Sequence, residues 1–392
     1  MTPPRTRYWS TTKLGVICFL VWLAILVATL WPFNPFPRNE VRWLGESNGL
    51  HIGRSGVVSS SGSFLREGSG DTHPCSVEIL LRADNLNEVH TFLSFYASGD
   101  FLPFELRQYG QGLLIFRRFQ NAQDHVSGGE IDVDHVFHHA SATLVSITSG
   151  ARGTKVYRNG ELVEAAAGYH IYTGNLSGEL LLGTGAITYD AWSGDVRGLA
   201  FYAQELSAQQ VQQHFSEWWQ SGTVSSDPAE DALAQYFFDE RSGTILHNQI
   251  AGQPDLVIPE NFDVPHKGFL TPPWKEITPA WIYTDDILRN VVGFVPLGMA
   301  FYLYLLRVQG KRRAVFLAIF LGGLTSLVIE ILQAYIPQRV SGMTDIITNT
   351  SGTGLGVLLL QPGPIRVMLE TWGILATTTP GAAVSPNDQR TR

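Results

Sequence analysis

The chain has 392 residues, 44% of them apolar, with 35 acidic against 27 basic side chains and a formal charge of -8. That length implies more than one folding unit, and the acidic balance offers no basic surface for a phosphate backbone, which argues against nucleic acid as a partner. Two cysteines, Cys18 and Cys75, exclude a disulfide framework and a thiolate metal site; no cofactor and no metal is expected.

The apolar residues cluster near the two ends of the sequence, which is a membrane pattern. Leu14 to Trp31 is a run without a charge, long enough at 1.5 Å per residue to cover ~27 Å of hydrocarbon. It is longer than a usual signal-peptide core, and Trp31-Pro-Phe-Asn-Pro-Phe-Pro37 after it has no small-x-small cleavage site, so an uncleaved anchor is expected. Three further helices are expected at residues 287–306, 314–336 and 343–360, the last interrupted by Asp345 and Asn349.

Basic residues in short flanks resist translocation. Arg5, Arg7 and Lys13 precede the first run, and Arg307, Lys311, Arg312 and Arg313 fall between the second and third. Both flanks belong on the cytoplasmic side. The expected organisation is a cytoplasmic N-terminus (1–13), a first span (14–31), a large extracytoplasmic domain (38–270, core 41–219), a helical block (285–360), and a disordered cytoplasmic tail (361–392).

Between residues 38 and 270 the text changes to short alternating stretches bounded by Gly, Ser, Asn and Asp, such as Ser76-Val-Glu-Ile-Leu-Leu-Arg82, Thr143-Leu-Val-Ser-Ile147 and Leu180-Leu-Leu182. These predict the strands of an all-β sandwich. Lys155-Val-Tyr-Arg-Asn159-Gly160-Glu-Leu-Val163 predicts a tight hairpin, because Asn and Gly both tolerate positive φ. Leu206 to Phe215 predicts a short helix with Ser207 as N-cap and Val211 and Phe215 on its buried face.

The order of Val77-Glu-Ile-Leu-Leu-Arg82, Phe137-His-His-Ala140, Val156-Tyr-Arg-Asn-Gly160 and Trp192-Ser-Gly-Asp-Val-Arg-Gly-Leu-Ala-Phe-Tyr202, closed by a helix, resembles a laminin G or concanavalin A-like jelly roll. The resemblance covers Val41 to Trp219. A later passage, Gln235 to Pro259, either completes this sandwich or links it to the membrane.

Near the C-terminus, Asp286-Ile-Leu-Arg-Asn290 with Pro296-Leu-Gly298, then Glu330-Ile-Leu-Gln333 with Pro337-Gln-Arg339, then Asp345-Ile-Ile-Thr-Asn349, is similar to the VanZ-like membrane family. Leu30-Trp-Pro-Phe33 resembles the end of that family's first helix, which makes the sandwich an insertion between the first and second helices of a four-helix transmembrane bundle. The resemblance implies a link to the cell envelope and supplies no settled activity.

Ionisable groups inside a span are costly and are functional candidates by default. Glu330 lies six residues before Ile336 and Asn349 six after Met343, each ~9 Å into the bilayer from the outer face. Glu330 and Gln333 share one helix face, as do Asp345 and Asn349. A polar cluster open to the outer leaflet is therefore expected from Arg289, Asn290, Glu330, Gln333, Arg339, Asp345 and Asn349. The rival is helix glue, with Arg289 or Arg339 neutralising an acid; such polar contacts average only ~0.6 kcal/mol in measured membrane cases. Gly352 and Gly356 at small-xxx-small spacing predict close helix packing.

Other residues carry weaker signals. His135, His138 and His139 beside Asp132 and Asp134 superficially resemble metal ligands, yet alternation along a strand sends neighbours to opposite faces, and structural roles are expected. Trp192, Tyr189, Tyr109 and Tyr172 offer a sugar-stacking platform, although Trp192 reads better as core. Glu130-Ile-Asp132-Val-Asp134 is the nearest approach to the acidic strand of glycosidic jelly rolls. The reading these residues support is an envelope membrane protein, without assigned catalytic residues, whose sandwich recognises a glycan or an extracytoplasmic protein and whose helices bind a lipid-linked or peptidoglycan-derived group. A glycan-active enzyme and an adhesion anchor are the alternatives.

Overall fold

The computed structural model describes residues 9–374 apart from 65–71, 98–101, 121–125, 139–140, 187–189, 226–229, 266, 277–280, 362, 364–366, 369–370 and 373. Its contacts divide into a helical unit (Met1–Phe33, Phe269–Tyr335, Ser341–Arg392) and a sheet-rich unit (Asn34–Gly268, Ile336–Val340). His139, Tyr189, Arg5, Arg7 and the tail from residue 375 lie outside the described residues.

In the helical unit, α1 (Thr11–Leu30) starts at Ser10, whose hydroxyl accepts from the Lys13 backbone N–H at 3.2 Å. With helices numbered in chain order and α2 in the other unit, α3 (Pro273–Glu276) is a single turn before α4 (Trp281–Val308), α5 (Lys311–Ala334) and α6 (Met343–Leu359). Among the described residues three helices, α1, α4 over Thr284–Val308 and α5, are long and apolar enough to cross a membrane. The fourth expected span, α6, has 17 residues, a rise of about 25 Å, and is studded with Thr, Ser, Asp and Asn.

Glycines set the closeness of these helices. A methyl group at Gly352 or Gly356 of α6 would collide with the carbonyl oxygen of Val291 or Val295 on α4, and one at Gly298 of α4 with the carbonyl of Thr353. The two backbones touch, so dispersion contacts form where hydrocarbon offers no hydrophobic drive. Phe294, Leu297, Ala318, Ile329 and Val357 fill the remaining core.

The sheet-rich unit is a sandwich of two antiparallel sheets. One runs β1 (Val41–Trp43), β2 (Leu50–Ile52), β13 (Gly194–Tyr202), β4 (Cys75–Ala83), β9 (Thr143–Gly150), β10 (Gly153–Arg158) and β11 (Glu161–Ala166), with β14 (Ala232–Tyr236) also on β13. The other runs β15 (Ile245–Leu246), β16 (Leu256–Val257), β3 (Val58–Ser60), β12 (Glu179–Leu182), β5 (Val89–Tyr96), β6 (Phe104–Tyr109), β7 (Gly112–Gln120) and β8 (Val126–Val133). The passage after residue 232 thus contributes strands to both sheets.

Alternation decides what each strand buries. Val77, Ile79 and Leu81 of β4, and Phe104 and Leu106 of β6, point into the shared core with Phe92, Phe95 and Trp192. Asn159 and Gly160 turn β10 into β11 at φ 53° and 82°, and the Asn159 side chain accepts from the Leu144 N–H at 2.9 Å.

The helix α2 (Ala208–Ser221) lies on the outer face of the first sheet, begun by a Ser207–Gln210 capping box and ended by Gly222 at φ 70°. Its buried side chains are Val211, His214 and Trp218, while Phe215 is half-buried. The face is rotated from the expected one because His214 and Trp218 both bond Glu78, at 3.0 and 3.2 Å, and a buried carboxylate outweighs one more apolar contact.

Candidate functional site

The helical unit brings a subset of the expected polar residues together. Asn290 on α4 donates from Nδ2 to Asp345 Oδ1 in the first turn of α6, at 2.8 Å. Glu330, 1% exposed on α5, accepts at Oε2 from the backbone N–H of Gly342, the residue that caps α6, at 2.9 Å. A carboxylate there meets a helix N-terminus, where orphan N–H groups and the macrodipole favour negative charge. Asn349, 4% exposed, donates to Ser326 Oγ at 2.9 Å, whereas its own Oδ1 is buried without a hydrogen bond among the described residues.

Gln333 and Arg289 also bond outside that group. Gln333 donates to the Thr29 carbonyl of α1 at 3.0 Å, so the face it shares with Glu330 spans two different neighbours. Arg289 pairs with Asp285 one turn earlier at 2.5 Å, with both side chains exposed. Arg339 is exposed in the 336–340 turn, which belongs to the sheet-rich unit. Ser326 was not anticipated; its position four residues before Glu330, on the same helix face, was the signal that pointed to it.

Beside Ser326, Thr325 lines an apolar cavity of about 470 Å³ between α1, α4 and α5, walled by Cys18, Phe19, Trp22, Phe301 and Tyr304. Trp22 Nε1 donates to Thr325 Oγ1 at 3.3 Å across its floor.

The sandwich holds three charged clusters. Under α2, Glu78 accepts from Ser146 Oγ at 3.0 Å, Trp218 Nε1 at 3.2 Å and His214 Nδ1 at 3.0 Å, and His214 Nε2 faces Glu230 at 3.1 Å. Both ring nitrogens thus meet carboxylates, the geometry of an imidazolium donating twice. Burial lowers the His214 pKa, but Glu78 and Glu230 outweigh it and the net shift is upward.

On the second sheet, Asp190 binds His90 Nδ1 at 2.9 Å, Arg107 at 2.7 Å and Thr91 Oγ1 at 2.7 Å, and His90 Nε2 meets Glu88 at 2.9 Å. The Asp190 hydrogen bond raises the His90 pKa against burial. Burial pushes Asp190 up, yet His90, Arg107 and Thr91 leave it below the usual range. Nearby Glu105, directly opposite Ser94 across β5 and β6, is raised by burial despite Arg118 and Arg107.

The third cluster, His51, Asp84 and Asp195, is the one trio of His and carboxylates within metal-ligand reach among the described residues. Arg82 already binds Asp195 at 2.8 Å and Arg197 stands 3.7 Å from it, so the charges read as an ion-pair network. Of the weaker sequence signals, His138 accepts from Arg158 at 3.1 Å, and Glu130, Asp132 and Asp134 are exposed on or just after β8. Trp192 is buried, with Nε1 donating to Gln108 at 2.8 Å, while Tyr109 is exposed. Tyr172 is half-buried and stacks on His170 at 6.0 Å.

Fold and site together define a two-sheet sandwich and a helical block, with three helices among the described residues apolar enough to span a membrane. Residues 57–212 match the concanavalin A-like lectin/glucanases superfamily, and residues 232–365 match the VanZ/LLP1 family, the composition expected from the motifs. The second match begins at β14, so it includes strands of the sandwich as well as the helices.

Among solved structures, a Bacteroides ovatus protein described as carbohydrate binding is 15% identical, with a TM-score of 0.37 over 54% of this chain and 57% of that one. The botulinum neurotoxin serotype D binding domain is 14% identical, TM-score 0.34, over 47% of this chain and 48% of that one. The serotype D/C VPI 5993 binding domain is 19% identical, TM-score 0.35, over 48% of each. The chain spans about half the length of these structures. No curated protein matches it.

Proposed function

We propose that this chain is a multi-pass protein of the cell membrane, with α1, α4, α5 and α6 as four spans, both termini cytoplasmic and the sandwich extracytoplasmic. The sandwich recognises an envelope glycan, and the cluster of Asn290, Ser326, Glu330, Asp345 and Asn349 holds a polar group of a lipid-linked or peptidoglycan-derived molecule at the outer leaflet. The lectin-like match at 57–212 and the VanZ/LLP1 match at 232–365 fit that pairing. Arg307, Lys311, Arg312 and Arg313 flank the junction of α4 and α5 and support the orientation.

The observation that carries the membrane half is Asn349 Oδ1, buried without a partner among the described residues a few side chains from Glu330. An orphaned acceptor in a low-dielectric site costs about 1–3 kcal/mol, a cost a donor-bearing ligand would remove. The apolar cavity lined by Thr325, the residue before Ser326 on α5, offers walls suited to a hydrocarbon tail. The test is binding of the full-length protein to a panel of envelope lipids and glycans, with Glu330→Gln, Asp345→Asn and Asn349→Leu beside the parent. Selective lipid binding lost in these variants at unchanged thermal stability supports the site; equal binding in all of them reduces the cluster to helix glue.

A further inference from the structure

The face of the sandwich that carries α2 has a cleft of about 370 Å³ at the C-terminal end of the helix. This falls within the range of small-ligand pockets, about 300–1,000 Å³. Its floor is apolar, made by Leu80 and Ala142, and one wall is Trp219, 58% exposed, with its ring oriented by Phe215 at 5.8 Å. The opposing walls come from three separate places in the chain: the turn between β1 and β2 (Glu46, Asn48), Arg197 on β13, and Arg241.

Most of the polar groups at this cleft are unspent. Among the described residues the side chains of Glu46, Asn48 and Arg241 make no hydrogen bond or ion pair, and Arg197 Nε is buried without an acceptor. Arg241 is also held at φ 59°, a left-handed conformation that costs a side-chain-bearing residue of order 1–3 kcal/mol and gathers at ligand clamps. The contrast is with the buried charges beneath the same helix, where Glu78, His214 and Glu230 satisfy one another.

Donors on Arg241 and Asn48, acceptors on Glu46 and Asn48, and the face of an exposed indole are the complement of a pyranose ring, which presents vicinal hydroxyls at its rim and an apolar C–H face. Charge selects among sugars. The lining carries one acid, Glu46, for the Arg241 guanidinium, Arg197 stands beside Asp195 at 3.7 Å, and the C-terminal carbonyls of α2 bring partial negative charge to the rim, so the cleft has no surplus for an anion. We infer that this cleft, formed by Trp219, Asn48, Glu46 and Arg241, is the saccharide site of the sandwich and that it takes a neutral pyranose. The inference rests on the glycan-recognition reading and adds its location and ligand class.

The test is calorimetric titration of the full-length protein, held in lauryl dimethylamine oxide because glucoside and maltoside detergents would compete. The probes are cellotetraose as neutral saccharide, tetragalacturonate as acidic saccharide, and vesicles of phosphatidylcholine with and without a glucosyl lipid to separate a free glycan from a lipid-borne one. The parent binds the neutral sugar, in free or lipid-borne form. Trp219→Ala weakens it roughly tenfold and Arg241→Ala roughly fivefold, the losses expected for a stacking face and for one or two hydrogen bonds. Leu162→Ala, an exposed apolar side chain on the edge strand β11, leaves it unchanged.

If the parent binds cellotetraose and both cleft variants bind it equally, the location is wrong while glycan recognition stands. Binding of tetragalacturonate in preference to cellotetraose overturns the ligand class. If none of the probes and no member of a wider glycan panel binds the parent, the glycan-recognition reading falls and this inference with it. Unfolding of Trp219→Ala is controlled by Trp219→Phe, which keeps an aromatic face and is expected to retain most of the affinity.

Discussion

The two units bury polarity in different ways. The sandwich gathers full charges into closed groups, Glu78 with His214 and Glu230 or Asp190 with His90 and Arg107, in which each charge has an opposite partner within about 3 Å. In the helical unit the buried polar contacts include amides, hydroxyls and backbone groups, as Asn349 meets Ser326 and Glu330 meets Gly342. The difference teaches where ligand chemistry is to be sought. A closed ion-pair group has its charge spent on holding elements together, whereas an open one, such as Asn349 Oδ1 or the Arg241 guanidinium, has capacity left over.

The sharpest break of this comparison is Glu78→Ala. It strands His214 and Trp218 beneath α2 and is expected to destabilise the sandwich by about 3–5 kcal/mol, read by denaturant unfolding, with Glu78→Gln losing less because it keeps the Ser146 bond. Next is Gly352→Val, which forces α6 off the Val291 carbonyl. Overpacking of about 1–3 kcal/mol or more is expected, measured as a lower unfolding temperature of the helical unit while the near-ultraviolet signal of the sandwich persists. A parent-like melt for either variant would remove the packing argument that motivates it.

Glu330→Gln is expected to cost only about 1 kcal/mol, since the amide oxygen still accepts from Gly342. A loss several times larger, seen by thermal melting in detergent, would mean that the charge itself stabilises the bundle. Asn159→Ala should cost a similar ~1–2 kcal/mol, because the residue sits at positive φ and its side chain bonds Leu144.

The smallest effect is on pH. His90 and His214 are raised from 6.5, so their stabilisation is full below that value and is lost as pH rises through the raised folded values; the raised Glu105 acts in the same direction. Glu88, Asp190 and Asp195 are lowered, so theirs is present above the ordinary carboxylate range and is lost as pH falls through the folded values. Sandwich stability should therefore be greater near pH 6 than near pH 8, and His214→Gln should flatten that slope in urea titrations.

The hairpin at Asn159-Gly160, the N-cap at Ser207 and the apolar helices were legible because each is set by residues within a few positions. The site was legible in part. Helical period placed Glu330 and Asp345 among candidates, but it could not show that Gln333 turns to Thr29 of α1 and Arg289 to Asp285. In the sandwich it failed more broadly: Trp219 and Arg241, or Glu78 and His214, are neighbours only through sheet order.

The sequence by itself determined a chain with apolar helices at its ends, a sandwich between them, and acids placed inside an apolar block, because hydrophobic period and turn chemistry are local properties. Only the tertiary structure decided which polar groups are consumed by partners and which are left open, because pairing depends on which strands and helices lie side by side, and that is fixed by burial of the whole core.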